Sequence, residues 1–223
     1  MLHTVLRLVH DDVRPIAGAF LDISKAFDSV SHDTILRRAK KYGLPPPLIR
    51  YLKRLYGDSV TTWEDISVKC KRGVRQGDPL SPSLFITAMD EVLSYARPEI
   101  GFSVDDKNTG ELAYADDLVL FANSPNELND KLEGLNARLE QTGMKLNNSK
   151  CKSFTILKDG KRKHLVLFPQ EYETDNGVVP YVEIDDTVRY LGLNFNWKGG
   201  LPVKSTKKVV EMLESVTKAP LKP

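Results

Sequence analysis

The order of apolar patterns along this 223-residue chain predicts an α+β fold, an antiparallel sheet backed by helices. Three observations lead there. An apolar run within residues 15–22 reads as a buried strand. Two further runs, 112–115 and 118–122, flank Asp116-Asp117 and read as strand, tight acidic turn and strand. Segments with helical spacing and cap residues lie between and after these strands.

The elements follow in order. After the first strand, Ser31 or Asp33 caps a helix that runs towards Tyr42 and stops at Gly43. Pro45-Pro46-Pro47 opens another, with Leu48, Ile49, Leu52 and Leu55 at helical spacing and Gly57 beyond its end. A β-like stretch over 60–70 leads into a turn-rich segment, 72–82. Ser81 and Pro82 then read as N-cap and first residue of a helix carrying Leu84, Phe85, Ala88, Met89, Val92 and Leu93. Past the acidic hairpin, Ser124-Pro125-Asn126-Glu127 is a capping box. Leu128, Leu132, Leu135 and Leu139 form that helix's apolar stripe, and Gly143 ends it. Strand signals follow at 151–157, 165–168, 178–184 and 189–195, and a short amphipathic helix is expected from Pro202 to Ala219-Pro220.

The composition, 41% hydrophobic, is that of an ordinary globular chain able to bury one sizeable core. No apolar run approaches the roughly 20 residues that span a bilayer, and the N-terminus lacks a signal-peptide pattern. An intracellular protein with no membrane partner is expected. Cys70 and Cys151 are far apart and read as free thiols rather than zinc ligands. Net charge is only +2, but residues 33–75 carry eleven Lys/Arg against four acids, and 76–143 carry thirteen acids against four bases. A basic lobe beside an acidic one suits a protein that grips a polyanion while holding cations; solvated helix faces are the bland alternative.

Adjacent aspartate pairs occur at Asp11-Asp12, Asp105-Asp106, Asp116-Asp117 and Asp185-Asp186. Three lie in polar turn contexts and read as solvated. Asp116-Asp117 sits between two buried strands, where paired carboxylates repel unless a cation is present, and hard oxygen ligands favour magnesium. Asp22 ends another apolar strand. If those strands are neighbours, three carboxylates converge at one sheet end and can bind two metal ions for in-line phosphoryl displacement. The alternative is a β-turn Asp pair without metal.

Tyr114-Ala115-Asp116-Asp117 resembles the Y-x-D-D box of reverse transcriptases. Residues 19–28, AFLDISKAFD, resemble the upstream metal-binding box of the same enzymes, and 73–82, GVRQGDPLSP, their template- and nucleotide-contacting loop. Residues 143–150, GMKLNNSK, match the G-x-x-x-N-x-x-K segment, and Arg189-Tyr190-Leu191-Gly192 resembles the primer-grip hairpin. Five boxes in the expected order make a chance match remote. Their wording is most similar to retrotransposons without long terminal repeats, with group II intron enzymes a more distant second.

The resemblance implies a polymerase palm with a ferredoxin/RRM-like antiparallel sheet and partial fingers. Residues 1–15 would be a remnant of the fingers, 16–32 and 73–200 palm, 33–72 a basic fingers-like segment, and 201–223 the start of a thumb or connecting helix. It implies two Mg²⁺ ions, with Mn²⁺ able to substitute, held mainly by Asp22 and Asp116, with Asp117 assisting and the Ile23 carbonyl as an extra ligand. Phe27 would be a steric gate selecting dNTP; a core Phe is the alternative. Gln76 and Gly77 would lie against the nascent base pair, Arg75 and Pro79 against primer or template; a Gly-Asp-Pro turn is the bland reading. Lys150 would protonate the pyrophosphate leaving group, or is simply solvated. Tyr190, Leu191 and Gly192 would support the primer, though a plain hairpin also explains them. The implied partners are an RNA template, a DNA primer and dNTP, in the nucleus or cytoplasm.

Only 21 residues precede Asp22 and 31 follow Gly192, less than family members carry for fingers and thumb. A piece of a larger polyprotein is therefore expected. Three activities remain in view: an RNA-directed DNA polymerase, a catalytically silent nucleic-acid-binding module, and an RNA polymerase or nucleotidyl cyclase on a similar palm.

Overall fold

Residues 16–21 alternate between two apolar environments, and the period-two rule places them in a strand covered on both faces. In the computed structural model, which describes residues 1–97, 99–104, 107–160 and 164–199, that strand is the centre of the fold. A helix α1 (Leu2–Asp11) precedes β1 (Ile16–Leu21), and a short α2 (Ala26–Ser29), α3 (His32–Lys41) and α4 (Pro46–Gly57) follow. Next come the hairpin β2 (Val60–Trp63) and β3 (Ile66–Lys69), α5 (Ser81–Leu93), and the hairpin β4 (Phe102–Val104) and β5 (Lys107–Thr109). The acidic hairpin is β6 (Glu111–Tyr114) and β7 (Asp117–Ala122), followed by α6 (Pro125–Thr142). Three more strand pairs complete the described chain: β8 (Lys152–Lys158) with β9 (Leu165–Phe168), β10 (Tyr172–Thr174) with β11 (Gly177–Val179), and β12 (Val188–Tyr190) with β13 (Leu193–Phe195).

The main sheet has the order β6-β7-β1-β8-β9, every neighbouring pair antiparallel. Ala17, Ala19 and Leu21 share one layer with Leu118, Leu120 and the apolar stripes of α5 and α6. Ile16 and Phe20 face the opposite layer with Val119, Phe121, Phe154 and Ile156. The segment expected as a fingers remnant contributes α1 to that second layer, through Leu2, Val5, Leu6 and Val9. Each of those side chains gains about 1.5–3 kcal/mol on burial, enough to seat the helix on the sheet. Gly18 is required by close approach: a Cβ there would lie 2.4 Å from Phe154 Cζ and 2.9 Å from the Leu120 carbonyl oxygen.

Ser31, not Asp33, caps α3, its Oγ accepting from the Thr34 N–H at 3.2 Å. Ser124 accepts from the Glu127 N–H, while Glu127 reaches back to the N–H of Asn123, one residue before the cap. Gly143 ends α6 at φ +88. Ser81 departs from its expected role. Leu80 is the N-cap of α5, Ser81 lies inside the helix, and its Oγ donates to the Arg75 carbonyl at 2.6 Å. The strand expected over 178–184 forms only at Gly177–Val179, because β10 captures it while Tyr181 bridges to Ser153. The helix expected from Pro202 lies outside the described residues. Buried Glu91 ties three helices together, pairing with Arg37 and Arg38 of α3 and Arg138 of α6.

Candidate active site

Asp22 and Asp117 owe their positions to strand register. Leu21 pairs with Leu118, so one further step sets Asp22 opposite Asp117, beyond the last paired residues of β1 and β7. Tyr114 pairs with Asp117, which leaves Ala115 and Asp116 as a two-residue loop. Ala115 has φ +55, a conformation that costs a non-glycine residue about 1–3 kcal/mol and presents Asp116 at the hairpin tip. Asp117 keeps an exposed side. What desolvation it feels, then the charges of Asp116 and Asp22, hold its carboxyl above the usual carboxylate range. The condition set by the sequence, that the two strands be neighbours, is met. Among the described residues no three His, Cys, Asp or Glu side chains are already gathered as a ligand set, so the carboxylates share one sheet end without converging on a point.

Residues 145–147 run beside 22–24 on the other flank of β1. The Asn147 N–H donates to the Asp22 carbonyl and the Ser24 N–H to the Lys145 carbonyl, each at 2.9 Å, with Ile23 bridged to Leu146 between them. In that antiparallel arrangement the Ile23 N–H and C=O point the other way, towards the flank occupied by the β7 tip. Cys151 packs fully buried behind Asp22, and burial pushes its thiol up to about 11. Nothing in the sequence spacing singled it out.

An open pocket of about 540 Å³ is lined by Phe27, Arg75, Gln76, Gly77, Pro79 and neighbouring residues, with none of Asp22, Asp116 and Asp117 in its lining. Its wall is two strapped segments: Val74 N–H donates to the Phe27 carbonyl at 2.8 Å and Gly73 N–H to the Val30 carbonyl at 2.7 Å. Phe27 is half-buried, its ring stacked on Phe85 with centroids 4.2 Å apart. Gly77 has φ +83, which lets the loop turn beside the exposed Gln76. Gln76 Nε2 donates to Asp28 Oδ1 at 3.5 Å, a second residue the sequence reading passed over.

Lys150 is exposed in the turn before β8. Tyr190 is not at the surface: its ring joins the second core layer near Phe20, and its phenol is raised by burial and then by the charge of Asp117. Leu191 and Gly192, both with positive φ, form the exposed two-residue tip of the β12–β13 hairpin. The structure thus gathers Asp22, Ile23, Asp116 and Asp117 at one sheet end, with Tyr190 behind them and the Phe27–Pro79 pocket as a separate feature. Among the described residues no helix is long and apolar enough to cross a membrane.

Comparison with known proteins bears on the family and the fold. Residues 7–195 match the family described as reverse transcriptase (RNA-dependent DNA polymerase). The chain is 38% identical over 224 residues to the retrovirus-related Pol polyprotein from type-2 retrotransposable element R2DM of Drosophila melanogaster, covering 98% of this chain and 21% of that protein. It is 34% identical over 229 residues to the R2 Pol polyprotein of Nasonia vitripennis, covering 100% and 22%. A further relative is the RNA-directed DNA polymerase from mobile element jockey of Drosophila melanogaster, 28% identical over 150 residues, 62% of this chain and 16% of that one. The chain therefore spans about a fifth of the length of these two R2 polyproteins. In fold it is similar to telomerase from Candida albicans in complex with a TWJ fragment of telomeric RNA, with a TM-score of 0.57 at 13% identity over 97% of this chain and 37% of that one. Apo telomerase from Candida tropicalis gives 0.58 at 13% identity over 92% and 35%. This chain belongs to the reverse transcriptase family, and the proteins it is similar to include those of the R2 and jockey elements, non-LTR retrotransposons.

Proposed function

We propose that this chain is the catalytic palm of an RNA-directed DNA polymerase, which joins a deoxynucleotide to a primer 3′-hydroxyl on an RNA template and releases pyrophosphate. The observation that carries the reading is the juxtaposition of Asp22 with Asp116 and Asp117 at one sheet end. In this reading residues 16–32 and 73–200 are palm and 33–72 the fingers-like part, within a larger polyprotein.

The donor set fits Mg²⁺, or Mn²⁺ in its place: anionic hard oxygens whose mutual repulsion a cation relieves. Asp22 and Asp116 would hold two ions, with Asp117 assisting and the Ile23 carbonyl as a neutral ligand. Bound there, the ions supply activation of the 3′-hydroxyl and neutralisation of charge on the triphosphate. The remaining roles belong to the protein. Phe27, backed by Phe85, closes the pocket against a 2′-hydroxyl. Gln76 and Gly77 lie against the nascent base pair, with Arg75 and Pro79 on the primer–template side. Lys150 gives a proton to the departing pyrophosphate. The Leu191-Gly192 tip, braced by Tyr190, supports the primer.

Primer extension on an RNA template with Mg²⁺ and dNTP tests the proposal, comparing the parent with Asp116→Asn. Extension by the parent and only background from the mutant is the expected result. Extension that survives in Asp116→Asn sinks the catalytic assignment. RNA binding that is indifferent to Mg²⁺, without extension even when upstream and downstream polyprotein sequence is restored, identifies a silent binding module.

A further inference from the structure

The main-chain ladder between β1 and β8 ends at Phe20 and Lys152. One rung further the strands part, and residues 145–147 take over as the neighbour of 22–24. The Asp22 carbonyl is taken up by Asn147, but the Asp22 N–H finds a side chain: it donates to Cys151 Sγ at 3.3 Å. The same thiol donates back to the Asp22 carbonyl at 3.8 Å. Cys151 is wholly buried, so no water competes for these contacts. A side chain thus substitutes for the missing backbone rung at the residue whose carboxylate leaves the sheet.

We propose that Cys151 is a positioning residue for Asp22, its thiol fixing the main chain from which that carboxylate projects towards Asp116 and Asp117. The inference rests on the reading of Asp22 as a metal ligand. A core cysteine that merely filled space would be replaced without consequence by alanine or valine. A thiol that serves as acceptor and donor is replaced only by another group with both capacities, and serine is the smallest such group. Without it, the Asp22 N–H loses its partner at a half-buried position, a cost that local movement of the chain relieves. Groups that orient a metal ligand from behind change metal affinity or activity by about 10- to 100-fold when lost.

The test compares the full chain with Cys151→Ser, Cys151→Ala and Cys151→Val. Hydrogen–deuterium exchange is read at the Asp22 amide, Mn²⁺ binding by titration of the ion's electron paramagnetic resonance signal, and folding by thermal melting. Serine is expected to retain protection of the Asp22 amide and the parent's Mn²⁺ affinity within about threefold. Alanine and valine are expected to lose that protection and to weaken Mn²⁺ binding about tenfold or more, while amides of β7 and α6 stay protected. An Asp22 amide that remains protected in the alanine variant overturns the proposal. Equal losses in serine and alanine overturn it too, since volume rather than hydrogen bonding then matters. Asp22→Asn separates the two levels: if it leaves Mn²⁺ binding unchanged, the metal-ligand reading fails, whereas the exchange comparison still decides the role of the thiol.

Discussion

Replacing Phe27 with valine should relax the preference for deoxynucleotides, and the structure sets the size of the effect. The ring cannot retreat from a ligand in the pocket. Phe85, fully buried, stands 4.2 Å behind it, and the Phe27 carbonyl is pinned by the Val74 N–H. Forcing an extra hydroxyl against such a wall is an overpacking problem, which costs about 1–3 kcal/mol. At about 1.4 kcal/mol per factor of ten, that is a discrimination of about 5- to 150-fold, and Phe27→Val should remove it. The substitution also forfeits the ring stack, worth about 0.5–1.5 kcal/mol beyond burial, so the melting temperature should fall as well. Single-nucleotide insertion gives kcat/KM for a dNTP and the matching ribonucleotide on one primer–template. A lower melting temperature with an unchanged dNTP-to-ribonucleotide ratio would refute the gate and leave Phe27 a core residue only.

Two further predictions concern the scaffold. Glu91→Ala removes the carboxylate shared by Arg37, Arg38 and Arg138; Arg38 keeps Asp90 at 2.7 Å, so the loss should be about 1–3 kcal/mol. Urea unfolding measures this, and a loss under 1 kcal/mol would mean the arginines find other partners. Gly18→Ala drives a methyl into the Phe154 ring and the Leu120 carbonyl, and overpacking of this kind costs about 1–3 kcal/mol. Adding Phe154→Leu should recover part of the loss but not all, because the Leu120 oxygen is main chain; full recovery would show that the sheet yields instead.

What was legible in the sequence is what local chemistry dictates. The apolar runs around Asp22 and Asp116-Asp117, the leucine stripe of α6 and its Gly143 stop appear where the pattern put them, except that β6, expected to be buried, is an edge strand with Ala113 and Tyr114 exposed. Elements whose existence depends on a distant surface were not. The α1 helix has an ordinary mixture of residues, and its apolar stripe acquires meaning only against the second face of the sheet. Strands β4, β5 and β10 are three residues each, too short for any period to show. Ser81 was misplaced for a related reason: serine before proline is a good local cap, but the Arg75 carbonyl six residues back is the partner its hydroxyl takes. Cys151 and Asp28 were missed because each acts through one tertiary contact that no spacing encodes.

The position of the carboxylates follows from where the sheet ends. Inside β1 any side chain meets one of two apolar layers, and an ionised group there would need a buried partner. One residue past Leu21 the β7 ladder ends and the side chain is only half-buried, yet the main chain remains held on the other flank by Asn147 and Cys151 before Ile23 returns to the first layer. Asp22 is therefore partly solvated on a main chain that is fixed. Asp116 obtains the same combination differently, from a two-residue turn whose strained Ala115 is tolerated because β6 and β7 are paired right up to it. A carboxylate kept near water on a fixed backbone is the arrangement cation binding needs, and here it arises from strand register together with the Ala115 turn and the contacts of Asn147 and Cys151.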